Sequence, residues 1–269
     1  MTTPLISVAF DGPVTTARHA ATVAGLPARF RTVTKASDAD ILVIDGTTSD
    51  WPAACRHTGA ILVDRPRPAD GGLPHHTSAF ADTGYTSDPA WTAELPRIRA
   101  SLHGGVSIVE STVSVADPDE LPDGLLSQLT LVRALFGDID TLTPSTVAPR
   151  RGYLLTAIAA GTLVSLSGTV GPAGLVLTTV SPAERWHITM HLSGTARPAR
   201  LTHFTAEGNH AVPPRFESAR RALWRRIHHT LTGTVTAAHQ LADTLPDLAT
   251  VASVLSGQQG RIPPVPSAR

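Results

Sequence analysis

The sequence contains very little cysteine or lysine and no long apolar run. Cys55 is the only cysteine, which excludes an internal disulfide and an all-cysteine metal site and leads us to expect a reducing, cytoplasmic location. Lys35 is the only lysine, so any reaction that needs a catalytic lysine must use it. No stretch reaches the roughly 18 apolar residues of a membrane span, and no basic region precedes the first apolar run. We therefore expect neither a membrane span nor a signal peptide.

Neither sign of charge is in excess. The chain has 22 basic and 22 acidic side chains, so no global field favours nucleic acid or an anionic membrane. The one basic run, Arg220–Arg226, alternates with an apolar stripe that includes Phe216, Leu223 and Ile227. We interpret this run as the solvated face of a helix and predict no nucleic-acid partner and no membrane partner.

The standard short motifs of catalysis are also missing. The sequence has no nucleophile-elbow, P-loop or zinc-protease motif, which removes those chemistries. His187 and His191 share one face of a predicted strand, but two ligands are too few for a metal site. No metal is predicted.

The first part of the chain alternates apolar strands with helices. This alternation predicts a parallel sheet of the Rossmann type. The segment 65–89 is rich in Pro, Gly, Asp and Thr and is predicted to be mostly loop. The predicted strands are 5–10, 28–33, 41–44 and 60–63, and the predicted helices are 14–24, 51–57 and 90–102.

The second part is organised by a central helix, Pro122–Gly137, in which Asp123 is the predicted N-cap and Gly137 the stop. After this helix the apolar period changes from about 3.6 to 2, which is typical of strands. One predicted strand, 106–115, precedes this helix. The strands predicted after it are 153–159, 162–170, 175–180 and 186–192, and the predicted closing helices are 216–231 and 245–255.

The fold class expected from these patterns is α/β followed by α+β. A shortened Rossmann-type domain over 1–102 precedes an open-faced, mostly antiparallel sheet domain over 103–269, with helices on one face of the sheet. The C-terminal helix can pack back on the first domain.

Three motifs resemble those of the glucose–fructose oxidoreductase/inositol dehydrogenase (Gfo/Idh/MocA) family. Gly59–Pro68 is similar to the family's strand ending in Glu-Lys-Pro, and Asp123–Gly137 is similar to its Asp-x-x-x-His helix. Ser253–Val265 resembles its closing Ser-x-x-x-Gly-Arg segment. The resemblance implies a dehydrogenase that holds NAD(P) in a Rossmann domain and forms dimers through the face of its second sheet.

Compared with that family, every chemical position but one, Asp123, is altered. Aligned on His19, the three glycines of the phosphate-binding turn are replaced by Asp11, Pro13 and Thr16, and only Gly12 lies in the turn. An aspartate there repels phosphate, and a proline removes an amide donor. The candidate cofactor-binding residues are therefore Gly12 and Thr16.

The family's proton-carrying residues are replaced as well. Arg65 takes the place of its lysine and stays protonated near neutral pH. Ser127 takes the place of its histidine, and Asp123 is retained. The resemblance makes Arg65, Asp123 and Ser127 the candidate catalytic residues, with Arg65 able to hold a carboxylate or an enolate as a fixed charge.

These residues leave three functional hypotheses open. In the first, the chain is a degenerate oxidoreductase, without a cofactor, that forms a homodimer or a heteromer with an active relative through the sheet face. In the second, it is a repurposed cyclase, dehydratase or isomerase of a small metabolite, using Arg65 and Asp123. In the third, it is a divergent but active NAD(P)-dependent oxidoreductase.

Overall fold

The computed structural model describes residues 5–55, 59–69, 78–102, 108–148, 150–191, 197–233 and 240–256. These residues form two compact units, one within Met1–Gly84 and Ala219–Leu248, the other within Tyr85–Ser218 and Ala249–Arg269. No helix among them is long and apolar enough to cross a bilayer.

The first unit is built on a five-stranded parallel sheet with strand order β2-β1-β3-β4-β5. Its central strands are continuous apolar runs because both faces of a parallel sheet are covered. The Rossmann-type parallel sheet predicted from the sequence is confirmed. The elements are β1 (Ile6–Phe10), α1 (Pro13–Ala24), β2 (Phe30–Thr32), β3 (Ile41–Asp45), α2 (Trp51–Ala54), β4 (Ala60–Asp64) and β5 (Ala79–Asp82).

The second unit contains an eight-stranded sheet with strand order β13-β12-β11-β10-β6-β9-β8-β7. Every pair of neighbouring strands in this sheet is antiparallel except the pair β6–β9, which is parallel. The predicted mostly antiparallel sheet is therefore confirmed. The elements are α3 (Pro89–Leu102), β6 (Ile108–Val115), α4 (Leu121–Phe136), β7 (Thr141–Ala148), β8 (Gly152–Ala159), β9 (Thr162–Val170), β10 (Gly174–Val180), β11 (Arg185–Met190), β12 (Arg200–Thr205) and β13 (Gly208–Ala211).

Two further helices follow, α5 (Ala219–Leu231) and α6 (Leu241–Leu255). Leu223, Trp224 and Ile227 of α5 belong to the same hydrophobic core as Val8 of β1 and Phe30 of β2. A helix from late in the chain thus completes the core of the N-terminal sheet.

The eight-stranded sheet buries one face and exposes the other. Alternate residues of β6 and β9, such as Val109, Val113 and Leu166, are fully buried. This face packs against α4, which contacts β6, β8 and β9. Side chains of the opposite face, among them Ile108 and Leu163, are exposed.

Several local predictions were wrong. The segment predicted to be mostly loop contains strand β5 and a turn of 3-10 helix over Tyr85–Ser87. Asp123 is not the N-cap of α4, because Leu121 already has helical geometry and Asp123 lies in the first turn. Phe216 lies before α5 and is 77% exposed, so it is not part of the buried stripe. Of the segment Ser253–Val265, which resembles the family's closing motif, residues 257–265 lie outside the described residues.

Candidate functional site

The candidate site lies at the carboxyl edge of the five-stranded sheet. The strand order reverses between β1 and β3, and open parallel sheets bind ligands outside the carboxyl ends of their strands at such a reversal. Strands β3, β4 and β5 end in Asp45, Asp64 and Asp82, which are paired in register. Three neighbouring strands therefore present a row of carboxylates at this edge.

Asp64 is the centre of a buried polar cluster. Its carboxylate is fully buried, with Arg18 Nε 2.7 Å from Oδ2 and His19 Nε2 3.3 Å from Oδ1. Arg65 Nε lies 4.0 Å from the same Oδ2. Burial alone would raise the pKa of Asp64, but His19, Arg18 and Arg220 outweigh it and lower the pKa to about 2. Asp64 is ionised at neutral pH.

The tautomer of His19 follows from its partners. The indole Nε1 of Trp224 lies 3.2 Å from His19 Nδ1, and an indole N–H can only donate. Nδ1 therefore accepts, and the ring proton is on Nε2, where it faces Asp64. Trp224 of α5 thus fixes the tautomer of a histidine on α1.

Asp82 joins the cluster from β5. Its Oδ1 accepts the amide of Gly84 at 3.0 Å, and Arg220 Nε lies 3.4 Å from its Oδ2. Arg220 also donates to the backbone carbonyl of Arg18 at 3.0 Å. Part of the basic run expected to be a solvated face therefore fastens α5 to α1 and β5.

One atom each of His19, Asp64 and Asp82 could converge on a metal, since three such atoms lie within 4.8 Å of one another. Two features disfavour a cation. Arg18 and Arg220 already neutralise the carboxylates, and Nε2 of His19 carries a proton. Metal binding would require moving that proton to Nδ1, against the indole N–H. We conclude that the cluster is built around arginine rather than a metal.

The turn between β1 and α1 holds both predicted cofactor-binding residues. Gly12 has φ 93°, a left-handed conformation that suits glycine, and precedes Pro13 at the start of α1. The Thr16 hydroxyl donates to the Gly12 carbonyl at 2.8 Å. The Thr15 hydroxyl lies 3.1 Å from the carbonyls of both Asp11 and Gly12. The threonine hydroxyls are thus engaged within the turn.

The predicted residues of α4 also lie together. The Ser127 hydroxyl is buried and donates to the Asp123 carbonyl one turn earlier, at 2.9 Å. Such a bond is typical of serine within a helix, and it does not activate the hydroxyl as a nucleophile. Arg65, by contrast, lies in the first unit and Asp123 and Ser127 in the second.

Gln128, next to Ser127, makes a network that the sequence did not reveal. Its amide nitrogen donates to the Ser111 carbonyl at 2.8 Å and to the Ser167 carbonyl at 3.1 Å. Its amide oxygen accepts the Tyr153 hydroxyl at 2.7 Å. Gln128 is fully buried, so this one side chain fastens α4 to β6, β9 and β8.

Comparisons with known proteins find the fold but no close relative. No protein-family profile matches the sequence, and no curated protein matches it. Among solved structures, a Desulfitobacterium hafniense protein proposed to be an NADPH-dependent oxidoreductase superposes with TM-score 0.76 at 9% identity, over 96% of this chain and 97% of that one. An Agrobacterium radiobacter oxidoreductase in complex with NAD+, L-tartaric acid and magnesium gives 0.71 at 11%, over 97% and 98%.

A third similar structure is UDP-N-acetylglucosamine 3-dehydrogenase from Acidithiobacillus ferrooxidans, with TM-score 0.69 at 12% identity, over 94% of this chain and 98% of that one. At such low identity the likeness shows a shared oxidoreductase fold and nothing about this chain's reaction.

A dinucleotide, which that fold implies, would lie at the β1–α1 turn. Proline at position 13 removes one of the amides that open a helix toward a pyrophosphate. Asp11 is exposed at the turn, so its negative charge opposes phosphate. The segment after β2 carries Lys35 where a ribose-binding acid is common. These residues do not fit a tightly held NAD(P).

Proposed function

We propose that this chain is an oxidoreductase-fold protein that has lost hydride transfer and acts as a non-catalytic partner of an active relative, with no bound NAD(P). One observation carries the proposal: two of the three candidate catalytic positions hold side chains that cannot relay a proton. Arg65 stays charged beside buried Asp64, and the Ser127 hydroxyl is bonded within its own helix. A reducing cytoplasm, suited to a lone thiol, is the proposed location.

The open face of the eight-stranded sheet is the proposed surface for association. Strand register places Ile158, Leu163, Ile108 and Val180 side by side across four neighbouring strands. We call these four residues the aliphatic row. Ile108, Leu163 and Val180 are each 40–44% exposed, and contiguous apolar surface of this kind favours a protein partner. The partner is a second copy or a related oxidoreductase.

Cofactor binding tests the proposal directly. Intrinsic tryptophan fluorescence is followed while NADH or NADPH is added, with the Agrobacterium radiobacter oxidoreductase as the positive control. We expect no saturable quench at micromolar cofactor, because the turn repels phosphate. A saturable quench would instead favour a divergent but active NAD(P)-dependent oxidoreductase. That alternative is motivated by the similar structure that holds NAD+.

Association is tested by light scattering after size exclusion, for the chain alone and mixed with a catalytically complete relative from the same host. Leu163→Glu and Ile108→Glu should each abolish the complex, because they place a charge in the aliphatic row. Phe216→Glu, an equally drastic change at an exposed site, is the control. A chain that is monomeric in both samples, or a Leu163→Glu variant that still assembles, would refute the partner role.

The backbone of Arg65 favours a second candidate function. Its φ of 51° is left-handed, and such conformations in residues other than glycine cluster at functional sites. In this alternative the protein is a non-redox cyclase, dehydratase or isomerase, with Arg65 as a fixed charge that holds the substrate. Turnover of a small metabolite that is lost in Arg65→Ala would support it over the partner role.

A further inference from the structure

The last turn of α5 presents two adjacent histidines to a single arginine. Arg29 precedes β2, and its Nη1 lies 3.1 Å from His228 Nδ1 and 3.4 Å from His229 Nε2. A guanidinium can only donate hydrogen bonds, so both ring nitrogens accept from it. The ring proton of His228 is therefore on Nε2.

His228 is buried beside the hydrophobic core of the first unit. It is 4% exposed, and its ring meets that of Phe30 edge to face, with 5.5 Å between the centroids. Phe30 also packs on Trp224, one turn earlier in α5, at 5.1 Å. The end of α5 is thus held to β2 by apolar packing and by the polar contact with Arg29.

A second proton on His228 would disturb this contact. Because Nε2 already carries a proton, the next one must go to Nδ1, the atom that faces the Arg29 N–H. Protonation would replace a hydrogen bond by repulsion between two cations at a buried position. Arg29 and a protonated His228 therefore cannot keep the geometry that the structure shows.

The surroundings of His228 oppose its protonation. Burial, Arg29 and His229 together lower its pKa from the usual 6.5. α1 and β5 also contact α5, but the titratable side chains with which they meet it, His19 and Asp82, do so at least one turn before His228. The neutral imidazole is the form that fits this packing.

We propose that Arg29, His228 and His229 form a pH-sensitive switch that holds the last turn of α5 against β2 at neutral pH and releases it in acid. A released ring binds protons at a higher pH than the packed ring does. The packed state is therefore most stable above the usual histidine value of 6.5 and loses stability as the pH falls below it. The proposal uses none of the candidate catalytic or cofactor-binding residues, so it does not rest on the loss of hydride transfer.

Amide hydrogen exchange of the full chain tests the switch, with rates corrected for the direct effect of pH on exchange. The Thr232 amide, which donates to the His228 carbonyl at 3.0 Å, reports on the last turn of α5. We expect its protection and that of β2 to fall severalfold between about pH 7.5 and about pH 5.5. The protection of β6, in the second unit, should stay constant.

Substitutions assign the fall in protection to the buried ring. His228→Phe keeps a ring against Phe30 but cannot take a proton, so this variant should show no fall. His210→Gln changes an exposed histidine of β13 and is the matched control, in which the fall should match that of the wild type.

An NMR titration of the His228 ring provides a second measurement, which does not need a folded His228→Phe protein. In the wild type the midpoint should lie below 6.5. In Arg29→Gln it should move up toward that value, because a neighbouring cation is gone. Arg31→Gln, at an exposed position of β2, should leave the midpoint unchanged.

The proposal is overturned if the last turn of α5 is equally protected at the two pH values. It is equally overturned if a folded His228→Phe protein loses as much protection as the wild type. The same holds if the His228 ring titrates at one midpoint in the wild type and in Arg29→Gln.

Discussion

At the scale of single residues, Asp64 has the most consequences. It ends β4, lies 2.7 Å from Arg18 Nε and 4.0 Å from Arg65 Nε, and faces Nε2 of His19. A buried charge of this kind is stabilising only while its partners are present, because an unpaired charge in the interior is costly.

The acid stability of the protein should depend on Asp64. Its pKa is lowered from 3.8 to about 2, so between these values the unfolded chain binds more protons than the folded one. The contribution is therefore fully present above pH 4 and is lost as the pH falls toward 2. It amounts to about 2 kcal/mol by proton linkage.

Urea unfolding of the wild type and Asp64→Asn between pH 7 and pH 2 measures this contribution. The wild type should be the more stable protein at pH 7, and the difference should narrow steadily below pH 4. Asp38→Asn, at an exposed aspartate, should show no such convergence. A constant difference across the range would show that Asp64 titrates normally.

At the scale of elements, Gln128 adds a polar anchor to the apolar packing of α4. Its one amide group bonds to groups on three strands. Gly168 takes part by its size: a Cβ there would lie 2.3 Å from the Tyr153 ring. The tyrosine can therefore lie across β9 and reach Gln128.

Gln128→Leu should destabilise the protein by about 2–4 kcal/mol, because it leaves the Tyr153 hydroxyl and two strand carbonyls without their partner. Chemical denaturation measures the loss. Thr130→Val removes one hydroxyl that donates to the Leu126 carbonyl within the helix and should cost less than about 1 kcal/mol. Adding Tyr153→Phe to Gln128→Leu should recover part of the loss. Equal costs for the two single variants would contradict this role for Gln128.

The elements could be predicted from the sequence wherever local pattern determines them. The apolar runs of β1, β3 and β4 and the amphipathic stripe of α4 gave their positions to within one or two residues. β5 was missed because its four residues, AFAD, are short and end in an aspartate. β7 was missed because it carries Pro144 and a register shift. β12 and β13 lacked a clear signal.

The candidate site was less predictable for a different reason. Gly12, Thr16 and Arg65 were predicted through motif resemblance, and their roles stay predictions. The ends of β3 and β4 did carry aspartates in the sequence, but Asp82 fell in a segment assigned to loop. The contact of His19 with Trp224 joins residues 205 positions apart, and only the topology of the first unit brings them together.

At the scale of the whole molecule, two sheets of different construction are joined in one chain. The fold class expected from the sequence is confirmed by this layout and by the oxidoreductase structures that superpose on it. Each unit carries its own candidate feature: the arginine–aspartate cluster at the edge of the parallel sheet, and the aliphatic row on the larger one.

The place of β6 in the larger sheet has a consequence for assembly of the fold. β9 and β10 follow each other along the chain, yet β6 lies between them and pairs with both. The strands on either side, β7-β8-β9 and β10-β11-β12-β13, are each a simple meander of neighbouring hairpins. β6 is therefore the strand that joins the two halves of the sheet. A substitution that disrupts β6 would separate these halves, whereas one that disrupts the edge strand β7 or β13 would remove only that strand from the sheet.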